Sequence, residues 1–126
     1  MLRRIFILIP ILLLMLAPAL AACASHPAGE EDAEKIAESY VENSATFKFD
    51  GILDTFQLTN TVQLTAGWQF TFRFECSHAG YGNRSGQNLA QVITPHTAVV
   101  TVANGQVTSA SMDSIWDMMN QRMMGM

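Results

Sequence analysis

Basic residues are scarce in this 126-residue chain: seven Lys and Arg stand against eleven Asp and Glu, a formal charge of −4. Cations so few and so scattered offer no footprint for a nucleic-acid backbone or for an anionic lipid surface. Cysteine is scarcer still, with only Cys23 and Cys76. Catalytic patterns are missing as well. There is no Gly-Lys-Ser/Thr, no G-x-G-x-x-G before a helix, no H-E-x-x-H, no nucleophile elbow and no pair of carboxylates flanking a recognisable cleft. Asp50 and Asp54 bracket three residues, but Asp50-Gly51 reads first as a turn. No cofactor motif is present, and the expectation is a protein that is not an enzyme.

What is present begins with an address. Arg3 and Arg4 precede an apolar run over residues 5–16 and then small residues, the pattern of a secretory signal over residues 1–22. The run carries Pro10 and Pro18 nearby and is short for a membrane span, which needs about 20 apolar residues. "LAAC", residues 20–23, resembles the lipobox of bacterial lipoproteins. The resemblance implies cleavage before Cys23, a diacylglyceryl thioether on its sulfur and acylation of the new amino group. Each buried methylene contributes about 0.8 kcal/mol, so two or three acyl chains hold a chain on a membrane almost permanently. It further implies an extracytoplasmic protein whose partner is the lipid membrane. In a diderm cell, Ala24 after the cysteine implies the outer membrane, facing the periplasm. The alternative is ordinary cleavage after an Ala-x-Ala pattern, leaving Cys23 as a stray thiol.

Removing residues 1–22 from 126 leaves 104, enough for one small domain. Removing Arg3 and Arg4 with them takes the charge from −4 to −6. With Cys23 acylated, Cys76 has no intramolecular partner, and packing alone must stabilise the fold. Residues 23–30 read as the lipidated cysteine and a polar tether, and 31–126 as a single domain.

Acidic Glu30, Glu31 and Asp32 suit a helix N-terminus, and Ala33, Ile36, Ala37, Tyr40 and Val41 make one apolar stripe. The spacing predicts a helix over 31–43 ending at Asn43. Alternation then takes over. In residues 55–65 Phe56, Leu58, Val62 and Leu64 are apolar between polar neighbours, and in residues 68–76 Trp68, Phe70, Phe72, Phe74 and Cys76 are. A three-residue turn ending in Gly67 sets Leu64 against Trp68, Val62 against Phe70 and Leu58 against Phe74, with a bulge or bend near Asn60. Asn104-Gly105 signals a two-residue hairpin with Val102 opposite Val107 and Thr101 opposite Thr108. The inner face of that hairpin stays open, since Val100, Val102 and Val107 lie on one side and Val99, Ala110 and Met112 on the other. A short strand is predicted around "TFKFD", with Phe47 and Phe49 on one side. A C-terminal helix capped by Asp113 or Ser114 is predicted, with Ile115, Trp116, Met119 and Met123 inward. The sum is an α+β domain: an N-terminal helix on a sheet of four or five antiparallel strands, with a short closing helix. That order resembles the cystatin-like and PepSY-like arrangements of small secreted domains.

"CSHAGYGNRSGQN", residues 76–88, concentrates the candidate chemistry. Gly80, Gly82 and Gly86 permit a tightly bent connection. Arg84 either binds a ligand carboxylate or phosphate or pairs with Asp50, Asp113 or Asp117. Tyr81, Arg84, Gln87, His96 and Asp117 are the candidate binding residues. Cys76, His78 and His96 offer soft zinc or copper ligands, and Cys76 beside His78 is either a reactive thiol or an inert buried one. The terminal methionines Met118, Met119, Met123, Met124 and Met126 are either Cu(I) ligands, Met118 and Met124 foremost, or packing and contact groups.

The segments "FDGI", "HAGYGNRSGQ", "ITPHTAVVTV", "NGQV" and "SIWDMMNQ" resemble an uncharacterised group of small secreted or lipid-anchored bacterial and archaeal proteins, over residues 49–121. The likeness implies one constellation: Asp50, Gly51, His78, Gly80, Tyr81, Gly82, Arg84, Gly86, Gln87, His96, Trp116, Asp117 and Gln121. An aspartate in the group stands where this chain has Asn83. No activity comes with the resemblance. The leading expectation is a membrane-anchored, non-enzymatic binding domain with a protein partner in the cell envelope, and the alternative is a metal-handling protein.

Overall fold

The computed structural model describes residues 29–125. The signal segment, the Cys23 motif, tether residues 24–28 and Met126 lie outside the described residues. Among those described, no helix is long and apolar enough to cross a membrane. The architecture is α+β, with two helices and six antiparallel strands in an open sheet.

Helix α1, Glu30–Glu42, carries three acids in its first turn, where the helix dipole is positive. It buries Ala33, Ala37 and Val41 against the sheet. Small side chains at those positions let the helix approach the strands closely. Asn43 stops it, its amide side chain donating to Ser39 O at 2.8 Å. The expected strand at "TFKFD" is instead helix α2, Ala45–Asp50. Ser44 is the reason: its hydroxyl accepts from Phe47 N and so caps the helix that follows. Phe47 then packs edge-on against Phe56 and Phe74, with ring centres 5.7 and 5.1 Å away.

The strands are β1 Gly51–Leu64, β2 Gly67–His78, β3 Gln91–Ala103, β4 Gln106–Met112, β5 Trp116–Asp117 and β6 Arg122–Met123, paired in chain order. Phe70, Phe72, Phe74 and Cys76 on β2, with His96, Ala98, Val100 and Val102 on β3, form the buried face. Helix α1 packs across β2, β3 and β4 on that face, and α2 covers β1 and β2.

The register of the first hairpin differs from the expected one. Leu64 pairs with Gly67, so Thr65 and Ala66 form a two-residue turn, and Thr61 rather than Val62 faces Phe70. Val62 and Leu64 therefore lie on the open face. Backbone proximity explains the choice: a Cβ on Gly67 would sit 2.0 Å from Val102 O, so only glycine fits there as a ladder residue. The irregularity expected near Asn60 is real and falls at Thr59, between the Leu58/Phe72 and Asn60/Thr71 pairs. In the second hairpin Val102 faces Val107, but Thr101 faces Ser109, because Thr108 is bulged. That extra residue reverses parity and sends Ala110 and Met112 to the buried side, which closes the open question of the hairpin's inner face.

The C-terminal helix is absent. Asp113 and Ser114 both take positive φ, +53° and +59°, which turns the chain back on itself and bars helix entry. Residues 116–123 form a tight β5–β6 hairpin whose turn is organised by Asp117, its Oδ1 accepting from Met119 N and Asn120 N. Met118 is consequently buried and Met119 and Ile115 exposed, the reverse of the expected stripe for those three.

Candidate functional site

The connection 79–90 between β2 and β3 is pinned by two carboxylate networks, one on each side. On the first side Asp50, at the end of α2, accepts from the backbone N–H of His78 at 2.7 Å, from His78 Nδ1 at 2.9 Å and from Arg84 Nη2 at 2.7 Å. An ionised carboxylate only accepts, so His78 carries its proton on Nδ1. Arg84 is itself buried and uses all five of its N–H groups. Nε donates to Gly82 O, Nη1 to the carbonyls of His78 and Ala79, and Nη2 to Thr46 O and Asp50. Its guanidinium also lies 4.7 Å from the centre of the Phe49 ring. Burial pushes the Asp50 carboxyl up, but His78, the Cys76 thiol and Arg84 outweigh it and hold the group below the usual aspartate range.

On the second side Asp113 accepts from Tyr81 Oη at 2.8 Å, His96 Nδ1 at 2.6 Å and Thr97 N at 2.7 Å. The left-handed backbone at Asp113 is what aims its side chain back over β3. Tyr81 stacks on Trp116 with ring centres 5.4 Å apart and leans on His96 at 5.2 Å. Burial and the facing Asp113 push the Tyr81 hydroxyl up to about 12. His96 Nε2 and Trp116 Nε1 are buried with no hydrogen-bond partner among the described residues. Gly82 joins the two sides: its N–H donates to Thr46 Oγ1 at 2.8 Å, and a Cβ there would press on Trp116 at 3.3 Å.

The candidate binding residues do not share one surface. Tyr81 and His96 meet through Asp113, and Arg84 is enclosed in the neighbouring network with no donor left for a ligand. Gln87 is exposed on the loop, its backbone N–H closing a turn onto Arg84 O. Asp117 lies apart, on β5 opposite Ser111, half-buried and serving its own turn. Of the three aspartates considered as partners of Arg84, Asp50 is the one used.

The metal set fares no better. Among the described residues no three His, Cys, Asp or Glu side chains converge to hold an ion. His78 and His96 each spend Nδ1 on a different aspartate, Met118 is in the core and Met124 is exposed. Cys76 is fully buried, and burial followed by the adjacent Asp50 pushes its thiol up to about 12. Both the burial and the direction of the shift are those of a packed core thiol.

Two functional positions escaped the sequence reading. Thr46 holds both Gly82 and Arg84, and nothing in its local pattern signals that. Asp113 was expected as a helix cap or an Arg84 partner, whereas its place beside His96 follows from a backbone reversal that no motif marks.

The end of the sheet that carries this loop also carries the three most exposed large apolar side chains described, Leu53 at 63%, Ile93 at 56% and Val92 at 53%. Leu53 follows Ile52, which pairs with Glu75, and Val92 and Ile93 lie between the Gln91/His78 and Thr94/Cys76 pairs. An open cleft of about 660 Å³, lined by Asn43, Ala45, Lys48, Phe49, Asn83 and Ser85, separates α2 from the loop. No family model matches the chain, and neither a curated protein nor a solved structure matches it.

Proposed function

We propose that the protein is a lipoprotein, held on the extracytoplasmic side of a membrane by acylated Cys23, and that it acts there as a non-enzymatic interaction domain. Its partner is a protein of the cell envelope, received at the end of the sheet where residues 79–90 lie. The observation that carries this reading is the coincidence of Leu53, Val92 and Ile93 with a loop already locked in place. Exposed apolar side chains gathered at one place are a mark of association. A loop fixed before binding avoids the ordering cost that a mobile one incurs. Arg84, His78 and His96 supply that rigidity rather than chemistry, since Arg84 directs its donors at Asp50 and backbone carbonyls, and His78 and His96 direct Nδ1 at Asp50 and Asp113. The likeness of the leader to a lipobox supports the anchor.

The test is a photo-crosslinking residue placed at Ile93 in cells, compared with one at exposed Lys35 on α1. A discrete adduct is expected at Ile93 only, and it should disappear with Val92→Asp. Equal labelling at both positions, or none at Ile93, overturns the interaction reading.

A further inference from the structure

Charge is distributed very unevenly along the sheet. Residues 55–72, most of β1 and half of β2, contain no Asp, Glu, Lys, Arg or His, and neither do residues 97–112, most of β3 and all of β4. Trp68 faces Val102 and Gly67 faces Ala103, so the turn at Thr65 and Ala66 and the turn at Asn104 and Gly105 lie side by side. The part of strands β1 to β4 that ends in these two turns is uncharged, while Asp50, Asp54, Arg73, Glu75, His78, Arg84, His96 and Asp113 belong to the other half; Asp117 and Arg122, on β5 and β6, border the neutral part level with Ser111 and Val99. The neutral half also exposes Leu58, Val62 and Leu64, each at 39%.

Helix α1 tells which half the N-terminal tether leaves from. Its last turn is joined through Asn43 and Ser44 to α2, whose Thr46 holds the 79–90 loop. From there α1 runs across β2, β3 and β4, over the face where Phe70, Val100 and Val102 are buried. Thirteen residues at 1.5 Å each make α1 about 20 Å long, and its contacts with β4, which pairs only with residues 98–103 of β3, take it into the half of the sheet that ends in the hairpin turns. Between Cys23 and Gly29 there are six peptide steps, a reach of about 20 Å at most. The strands themselves extend about 40 Å.

We infer that the uncharged hairpin end is seated against the headgroup region of the bilayer that holds Cys23, and that the 79–90 loop is presented on the far side. This rests on the lipid-anchor reading above and adds an orientation to it. Nothing charged on β1 to β4 at that end has to lose water on contact, and Val62 and Leu64, next to the turn on one face, gain an apolar boundary. The charges that do lie at this end, Glu30, Glu31, Asp32, Glu34 and Lys35, sit on α1 beside the tether and give the end a net negative sign. A zwitterionic surface therefore suits it better than an anionic one.

The test uses the full acylated protein in phosphatidylcholine vesicles, with a fluorophore on Thr65→Cys or on Asn88→Cys. Native Cys76 is buried and stays unlabelled. Nitroxide-bearing lipid should quench the label at position 65 at least about threefold more than the label at 88, and Leu64→Asp should reduce that difference while the protein still floats with the vesicles. Equal quenching of floating protein overturns the orientation alone. Energy transfer between labels at 65 that persists on dilution with lipid also overturns it, by assigning the end to a second copy. Wild-type protein that fails to float, or a Cys23→Ser variant that floats as well as wild type, overturns the anchor and the orientation together.

Discussion

Replacing Arg84 by alanine tests whether this arginine is a structural clamp or a ligand-binding group. The substitution leaves Asp50 with a side chain only 7% exposed and without its cationic partner, and it strips one donor each from the carbonyls of Thr46, His78, Ala79 and Gly82. Removing one member of a buried ion pair costs about 3–5 kcal/mol, because the other charge stays behind. A domain of this size unfolds with about 5–15 kcal/mol in total, and about 4–8 °C of melting temperature accompanies each kcal/mol. The expected fall is therefore at least about 12 °C by near-ultraviolet circular dichroism. Arg84→Lys retains the charge but offers three donors for five acceptors, so it should recover only part of the loss. Asp50→Asn combined with Arg84→Met should lose less than the two single effects added, since neither variant then strands a charge. A melting temperature within about 2 °C of wild type for Arg84→Ala would refute the clamp.

Four further outcomes follow from the same geometry. Asp50 is held below its ordinary range, so its contribution is complete above about pH 4 and drains away as the pH falls through the lower folded value; Asp50→Asn should flatten the acid limb of a stability-against-pH curve. Tyr81 titrates higher in the fold, near 12, so its stabilisation is intact below about pH 10 and is lost as the pH rises toward 12; Tyr81→Phe should remove that alkaline decline, seen in urea midpoints, and should cost about 1.5–3 kcal/mol at neutral pH through the lost bond to Asp113. Cys76, with its pKa moved from 9.0 to about 12, should react with a maleimide at pH 8 about a thousandfold more slowly than the unfolded chain, and a rate matching the unfolded chain would restore the reactive-thiol reading. Gly67→Ala should cost about 1–3 kcal/mol in urea unfolding, since the new methyl meets Val102 O.

Periodicity decided what could be read from the letters. The stripe from Ala33 to Val41 and the even positions of β2 each repeat over many residues, and long repeats survive one local exception. Asn104-Gly105 was legible because both residues take positive φ, which those two types tolerate. Short elements failed where a single side chain outvoted the pattern. Ser44 turned an alternating "TFKFD" into a helix, and Asp113 turned a helix-like methionine stripe into a hairpin. The candidate site was legible as a crowd of residues and not as contacts. Asp50 and Arg84 meet across 34 positions through a loop whose path no periodicity describes, and Thr46 has no neighbour in sequence that hints at its two bonds.

The bulges show why side-chain parity was the weakest expectation. At three of the four irregular points of the sheet a threonine hydroxyl bonds the neighbouring strand: Thr55 Oγ1 accepts from Glu75 N at 2.8 Å, Thr59 Oγ1 donates to Thr71 O at 3.1 Å, and Thr108 Oγ1 donates to Thr101 O at 3.4 Å. An extra residue ordinarily leaves backbone groups unpaired, and a hydroxyl one bond from the backbone satisfies them at little cost. Threonine is also a favoured strand residue, so it reads as unremarkable alternation. The consequence reaches the surface. The Thr59 bulge rotates Val62 and Leu64 from the packed face to the open one, and the Thr55 irregularity leaves Leu53 at 63% exposure. Apolar side chains at both ends of the sheet thus lie next to the same device. Deleting Thr59 makes the Leu58/Phe72 and Asn60/Thr71 pairs consecutive, so it should raise the protection of β1 amides in hydrogen exchange while Val62 stays opposite Gln69 on the open face. It should leave both vesicle contact at position 65 and crosslinking at Ile93 intact, since the pairs from Asn60 to Leu64 do not involve the deleted residue.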